Sequence, residues 1–171
     1  MISNEYFAKQ KRDSLLLLIL SFLVFCAVSV ILQLPANCVQ DWYYYPDARS
    51  YREAAEQLFV QGGQANSIRP FGYPLLIGIP YLFGIVDDRQ IVVFAIFLNV
   101  IAWLLTVQLL QRIVLWLCGR GWAWVASLLF LLSITHVVSI YQSLSETFFL
   151  FFILLALYTF VRFWQSGRSI D

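Results

Sequence analysis

Long apolar stretches separated by more polar segments are the feature that most restricts the fold of this chain. They cover residues 15–34, 91–117, 122–138 and 147–164. A helix rises 1.5 Å per residue, so about 20 apolar residues cross the ~30 Å hydrocarbon core of a bilayer; the third stretch is only just long enough. The sequence therefore predicts an all-α integral membrane protein, a single transmembrane domain over residues 1–171 with four transmembrane helices.

Composition supports this class and excludes others. Hydrophobic residues make up 61% of the chain and charged residues 12%, whereas soluble domains have about 45–50% and about 25%. The apolar composition makes membrane lipids the expected surroundings. A net charge of +1 gives no basis for binding nucleic acid. Three cysteines, Cys26, Cys38 and Cys118, show no CxxC spacing, which argues against a disulfide or a zinc site.

Loop charges indicate the orientation. A fifth apolar run, residues 74–86, is short and interrupted by Gly78, Pro80 and Gly84, which predicts a short interfacial helix and not a crossing. With four crossings, most lysines and arginines fall on the side of the N-terminus. The positive-inside rule then places both termini in the cytoplasm, and the long loop 35–89 on the outer face. The expected location is a bacterial inner membrane.

The outer loop contains an amphipathic helix. Its apolar positions recur at helical spacing and are Tyr51, Ala54, Ala55 and Leu58. Opposite charges lie four residues apart on the other side, as in Arg49 and Glu53. We expect a helix over residues 48–61 that lies on the outer membrane surface, with the apolar stripe facing the membrane, and that stops at the glycines 62 and 63.

Asp47 stands at the beginning of that helix. It precedes Tyr51 by four residues, so its side chain lies over the same face as the stripe. One interpretation is an N-cap, a position where aspartate stabilises a helix. The other is a carboxylate that serves a substrate at the bilayer surface as general base or metal ligand. The two roles can coexist.

Arg69 begins a rigid stretch, residues 69–74, that contains two prolines and a glycine. An arginine at headgroup depth can bind a lipid phosphate through two parallel hydrogen bonds. It can also simply extend to the lipid headgroups, as many interfacial arginines do.

The mouth of the last span provides further polar candidates. Ser145 is a candidate N-cap, and Glu146 is a carboxylate at a membrane boundary, where an unpaired charge is costly. His136 is the only histidine; a structural role and a substrate contact are both open. Asn99, within the second span, is expected to form a hydrogen bond between helices.

These stretches, in this order, resemble the GT-C superfamily of membrane glycosyltransferases, in particular its dolichyl-phosphate-mannose protein mannosyltransferase-like branch. The resemblance rests on Asp47 to Tyr51, on Arg-Pro-Phe-Gly-Tyr-Pro-Leu-Leu at 69–76, and on Leu-Ser-Glu-Thr at 144–147. Phe71 stands where the family usually has a second proline. The similarity covers roughly residues 15–164 and only the N-terminal part of the longer family module.

The resemblance implies transfer of a sugar from a polyprenyl-phosphate donor to an acceptor at the outer face, with inversion at the sugar carbon. Asp47 would be the catalytic base, with a divalent cation left open, and Arg69 would stabilise the leaving phosphate. The other residues predicted to bind substrate are Tyr73, Glu146, Arg49, Tyr51 and His136.

Two other functions are compatible with the sequence. The first is a non-catalytic four-span accessory subunit that keeps a degenerate GT-C fold and packs with partner subunits in a larger membrane complex. The second is a lipid-headgroup transporter, for which the second span offers only three polar residues, Asn99, Thr106 and Gln108.

Overall fold

The protein is helical throughout the part that the structure, a computed structural model, describes: residues 4–34, 46–62, 72–142 and 145–165. The helices are α1 (Asn4–Ile31), α2 (Pro46–Phe59), α3 (Gly72–Ile77), a 3-10 helix (Ile79–Phe83), α4 (Asp88–Cys118), α5 (Arg120–Leu131), α6 (Ile134–Tyr141) and α7 (Glu146–Gln165). No strand occurs in these ranges, which confirms the predicted all-α class.

Three helices in the described ranges are long and apolar enough to cross a membrane. They are Lys9–Ile31 of α1, Asp88–Cys118 (all of α4) and Glu146–Trp164 of α7. The third predicted span, residues 122–138, falls on two helices, α5 and α6, which are bent by 50° where they meet and count as a fourth crossing only if they form one span. These apolar helices indicate an integral membrane protein.

Helix α4 is the centre of the bundle and packs against α1, α5, α6 and α7. Two alanines, Ala95 and Ala102, are buried on its surface, and small residues of this kind let helices approach closely in a membrane. Trp103 is also buried, in a cluster that includes Leu17 of α1 and Ile140 of α6. The core therefore lies along α4.

The apolar stripe of α2 is buried against protein. Tyr51 and Ala55 form one hydrophobic cluster with Tyr73, Ile77 of α3 and Val92 of α4. The predicted direction of the stripe, toward the membrane, is therefore wrong: α3 and the start of α4 offer an apolar surface that covers it. The helix itself is confirmed as Pro46–Phe59.

The ends of α2 and of the 3-10 helix use glycines. Gly62, just beyond α2, has a φ of 62°, and Gly84, just beyond the 3-10 helix, has a φ of 73°. Left-handed backbone of this kind favours glycine and ends helices. Gly63, the second residue of the predicted stop, lies outside the described residues.

Three helices meet near the N-terminal end of the bundle. Arg120 of α5 donates two hydrogen bonds to Asp13 of α1, from Nε at 2.7 Å and from Nη2 at 2.8 Å. Gln108 of α4 donates from Nε2 to the carbonyl oxygen of Ser14 at 3.1 Å. These bonds tie α1 to α4 and α5.

Candidate functional site

A hydroxyl pair joins α2 to the start of α7. The hydroxyl of Tyr51 on α2 lies 2.8 Å from Oγ of Ser145, and either can be the donor. Ser145 directly precedes α7, and its carbonyl accepts from the amide of Phe149 at 2.9 Å. The structure therefore brings together two of the predicted motifs, which are separated by 94 residues in sequence.

Tyr73, from the remaining motif at residues 69–76, packs beside this hydroxyl pair. Its ring meets the ring of Tyr51 edge-on, with centroids 5.1 Å apart at 83°. It also packs against Phe148 of α7 at 5.6 Å. Edge-to-face aromatic pairs of this geometry contribute about 0.5–1.5 kcal/mol beyond area burial. The consecutive helices α2 and α3 and the distant helix α7 thus share one aromatic cluster.

Asn99 anchors Tyr73 from within the bundle. Its Nδ2 donates to the Tyr73 hydroxyl at 2.8 Å and to the carbonyl of Ala95 at 3.1 Å, and the side chain is fully buried. This confirms the predicted hydrogen bond from Asn99 to another helix. Because the amide nitrogen bonds both to its own helix and to Tyr73, α4 positions the Tyr73 ring.

A cleft of about 470 Å³ opens beside this cluster. It is lined by Tyr51, Gly72, Tyr73, Leu75, Leu76, Ser145, Phe148, Phe149 and Phe152. The volume lies in the range of about 300–1,000 Å³ that is typical of small-molecule sites. Two wall residues on α7, Phe149 and Phe152, are 68% and 54% exposed. Since they belong to a candidate span, the cleft faces the side where lipid would lie.

The cleft is amphipathic. Its walls are phenylalanine and leucine side chains, and the paired hydroxyls of Tyr51 and Ser145 form a polar edge. A molecule with an apolar chain and a polar end fits this distribution, because the chain avoids water while the polar end keeps hydrogen-bonding partners.

Asp47 lies in the first turn of α2, directly after Pro46. Proline is favourable at the first helical position, and the helix dipole stabilises a carboxylate there. The Asp47 carbonyl accepts from Ser50 Oγ at 2.8 Å, and the residue is half-buried. Asp47 precedes Tyr51 by one turn on the same side of α2, although it is not among the residues that line the cleft.

The other predicted site residues are placed differently. Arg49 is exposed and forms an ion pair with Glu53 at 2.7 Å. His136 stacks on Phe130 across the α5–α6 bend, with ring centroids 4.4 Å apart. Glu146 is exposed beside Ser145. The described lining of the cleft includes none of these three, and Arg69 lies outside the described residues.

An ion pair holds α2 against the start of α4. Arg52, whose side chain is 16% exposed, pairs with Asp88. Tyr81 of the 3-10 helix lies near this pair, and burial, followed by the negative charge of Glu56, raises the pKa of its phenol above 10.0. Tyr81 is therefore neutral at physiological pH.

Two components of the cleft were not among the predicted substrate-binding residues. The sequence indicated Ser145 only as a helix cap, yet its hydroxyl contacts Tyr51. The phenylalanine wall has no counterpart among the predicted residues; its signal is the close spacing of Phe148, Phe149 and Phe152 at the start of a span. In the described ranges, no group of three His, Cys, Asp or Glu residues is arranged to hold a metal ion.

No protein-family model, no curated protein and no solved structure matches the chain. A functional assignment therefore depends on the chemistry of the cleft and on the sequence motifs.

Proposed function

We propose that the chain is a GT-C-like glycosyltransferase module that transfers a sugar from a polyprenyl-phosphate donor at the outer membrane face. The observation that carries the proposal is the lateral cleft, with its apolar phenylalanine walls and its hydroxyl edge at Tyr51 and Ser145. A polyprenyl-phosphate sugar has this polarity, with a long hydrocarbon chain and a polar end.

The proposal includes a topology of four spans, in which the bent pair α5 and α6 is the third. Both termini are cytoplasmic, and loop 35–89 lies outside, in a bacterial inner membrane. In this arrangement α2 lies at the outer surface and α3 with the 3-10 helix at the interface. The cleft then lies at the depth where a lipid phosphate meets the hydrocarbon core.

In the proposed reaction, the polyprenyl chain lies along Phe149 and Phe152. The acceptor hydroxyl oxygen attacks the sugar carbon from the side opposite the phosphate. The bond from that carbon to the phosphate oxygen breaks, and the proton of the acceptor passes to the Asp47 carboxylate. Arg69 would balance the charge on the departing phosphate. The position of Asp47 one turn from Tyr51 supports this assignment.

The test is sugar transfer from a labelled polyprenyl-phosphate sugar in proteoliposomes. Asp47→Asn keeps the size of the side chain and its ability to accept a hydrogen bond, but it removes the base. A general base contributes about 10²–10⁴ in rate, so we expect at least about a 100-fold loss. Glu53→Gln is the matched control, because Glu53 is an exposed carboxylate of the same helix that pairs with Arg49. Equal transfer by wild type and Asp47→Asn would exclude the catalytic role.

A second function, an accessory subunit of a larger membrane complex, is favoured by one observation. Only 17% of the α1 span and 11% of the α7 span are buried within the chain, compared with 44% of the α4 span. Helices of a partner subunit could cover these two surfaces. Isolation in a mild detergent decides between the two functions: a stoichiometric partner without sugar transfer favours the subunit, whereas transfer by the isolated chain contradicts it.

A further inference from the structure

The N-terminal end of the bundle contains a second polar region, far along the helices from the cleft. We call it the basic junction; it consists of Lys9 on α1, Arg112 on α4 and Arg120 on α5. Two small cavities lie there, of about 60 Å³ and about 10 Å³. Both are lined by Asp13 and Arg120, the larger also by Lys9 and the smaller also by Arg112.

The junction has excess positive charge. Three cations and one carboxylate, Asp13, line the two cavities, so the described lining carries a net charge of +2. Arg120 directs Nε and Nη2 to the two oxygens of Asp13, which leaves three of its five N–H donors for another acceptor. Lys9 and Arg112 have no ion-pair partner among the described residues.

The location of the junction matches the headgroup depth of a membrane. Lys9 begins the apolar span of α1, and α4 ends at Cys118, six residues after Arg112. Trp122 and Trp124 lie on the first turns of α5, and tryptophan is enriched at membrane interfaces. The junction is therefore placed where a lipid phosphate would be.

Apolar side chains lie deeper on two of the same helices. Leu16 on α1 and Leu128 on α5 are 50% and 41% exposed. Leu16 is three residues from Asp13, and Leu128 is four residues from Trp124, so each lies one turn away on a similar face. A free anion would need the charges alone, whereas a phospholipid would use the charges and these apolar surfaces together.

We propose that the basic junction binds the phosphate of an anionic phospholipid in the leaflet on the side of the N-terminus. Arg120 and Arg112 provide planar guanidinium groups for the phosphate oxygens, Lys9 provides a further positive charge, and the acyl chains lie against the exposed leucines. This binding requires neither sugar transfer nor a particular orientation of the chain.

The test is lipid retention by the purified full chain in a non-ionic detergent, measured by native mass spectrometry. Phosphatidylglycerol is titrated against phosphatidylcholine with identical acyl chains. Each basic residue near a lipid surface contributes a factor of about five, so Arg112→Gln should weaken phosphatidylglycerol binding about fivefold, and Lys9→Gln about as much. Neither residue has an ion pair to lose within the described ranges, so both variants should fold; circular dichroism and size-exclusion chromatography check this.

The matched control is Arg89→Gln, which removes an exposed arginine at the opposite end of α4 and should leave binding unchanged. The proposal is overturned if Arg112→Gln and Lys9→Gln retain phosphatidylglycerol as wild type does, or if Arg89→Gln loses as much. Equal retention of phosphatidylcholine would overturn it as well. Full competition by millimolar inorganic phosphate would identify a site for free anions in place of the lipid.

Discussion

Removal of Arg120 should destabilise the protein more than removal of the charge on Asp13, because the two side chains differ in burial. The Asp13 side chain is 11% exposed and the Arg120 side chain 44% exposed. Arg120→Gln leaves a carboxylate in a site with little access to water. Asp13→Asn leaves a guanidinium that can still reach water or lipid headgroups. The two variants break the same ion pair, but they should differ in how much unfolding free energy is lost.

The size of the effect follows from this exposure. Removing one partner of a fully buried ion pair costs about 3–5 kcal/mol, while an exposed pair contributes about 0.2–1 kcal/mol. Arg120 is nearly half exposed, so we expect about 2 kcal/mol for Arg120→Gln and about 1 kcal/mol for Asp13→Asn. The double variant, which leaves two amides able to bond to each other, should cost less than Arg120→Gln alone.

Equilibrium unfolding in mixed detergent micelles measures these differences, with the helical signal in circular dichroism as the readout. Arg49→Gln is the control: its ion pair with Glu53 is exposed and spans four residues of one helix, so its loss should cost at most about 0.5 kcal/mol. The reasoning is refuted if the Arg120 and Asp13 variants are equally destabilised, or if their effects add in the double variant.

Two further substitutions test the packing around the cleft. A Cβ at Gly78 would lie 2.4 Å from two ring carbons of Phe59, so Gly78→Ala should lower the unfolding free energy by about 1–3 kcal/mol. The control is Gly72→Ala, whose added Cβ would have no atom within 4 Å and should leave the unfolding free energy nearly unchanged. Thermal unfolding measures both. Tyr73→Phe removes only the hydroxyl that accepts from Asn99 and should cost about 0.6–2 kcal/mol. A double-mutant cycle with Asn99→Leu should show that the two losses are coupled, and strict additivity would contradict the hydrogen bond.

Helix α2 shows what sequence periodicity can and cannot predict. The spacing from Tyr51 to Leu58 predicted a helix, and α2 is present as Pro46–Phe59. Periodicity identifies which face is apolar, but it contains no information about what covers that face. Here α3 and the start of α4 cover it. Lipid was expected instead, because a protein core and a membrane favour the same apolar side chains.

The bend in the third apolar stretch had no clear sequence signal. Sharp kinks usually coincide with proline or glycine, and neither occurs between Leu131 and Ile134. The break instead contains Ser133, whose backbone is extended and whose hydroxyl lies 2.9 Å from that of Thr135. Hydropathy counts apolar residues over a window, so it detects a stretch that could cross a membrane but not a change of direction within it.

For the candidate site, the sequence identified three motifs, but it could not show which of their residues are in contact, because that depends on how the helices pack. Tyr51 and Tyr73 do line one cleft with Ser145. Their proximity depends on how α2, α3 and α7 pack on α4, and no local pattern specifies that packing. Arg49 and His136 were predicted as substrate contacts, and the structure places their side chains in other contacts.

The shape of the cleft is fixed from the interior of the bundle outward. Asn99 holds the Tyr73 hydroxyl at 2.8 Å, the Tyr73 ring meets Tyr51 at 5.1 Å, and Tyr51 reaches Ser145 at 2.8 Å. Each step joins a different pair of helices, and the first begins on α4, the most buried of the candidate spans. A ligand that entered from the lipid side would therefore meet a polar edge already held in place, and little of its binding free energy would be needed to order that edge.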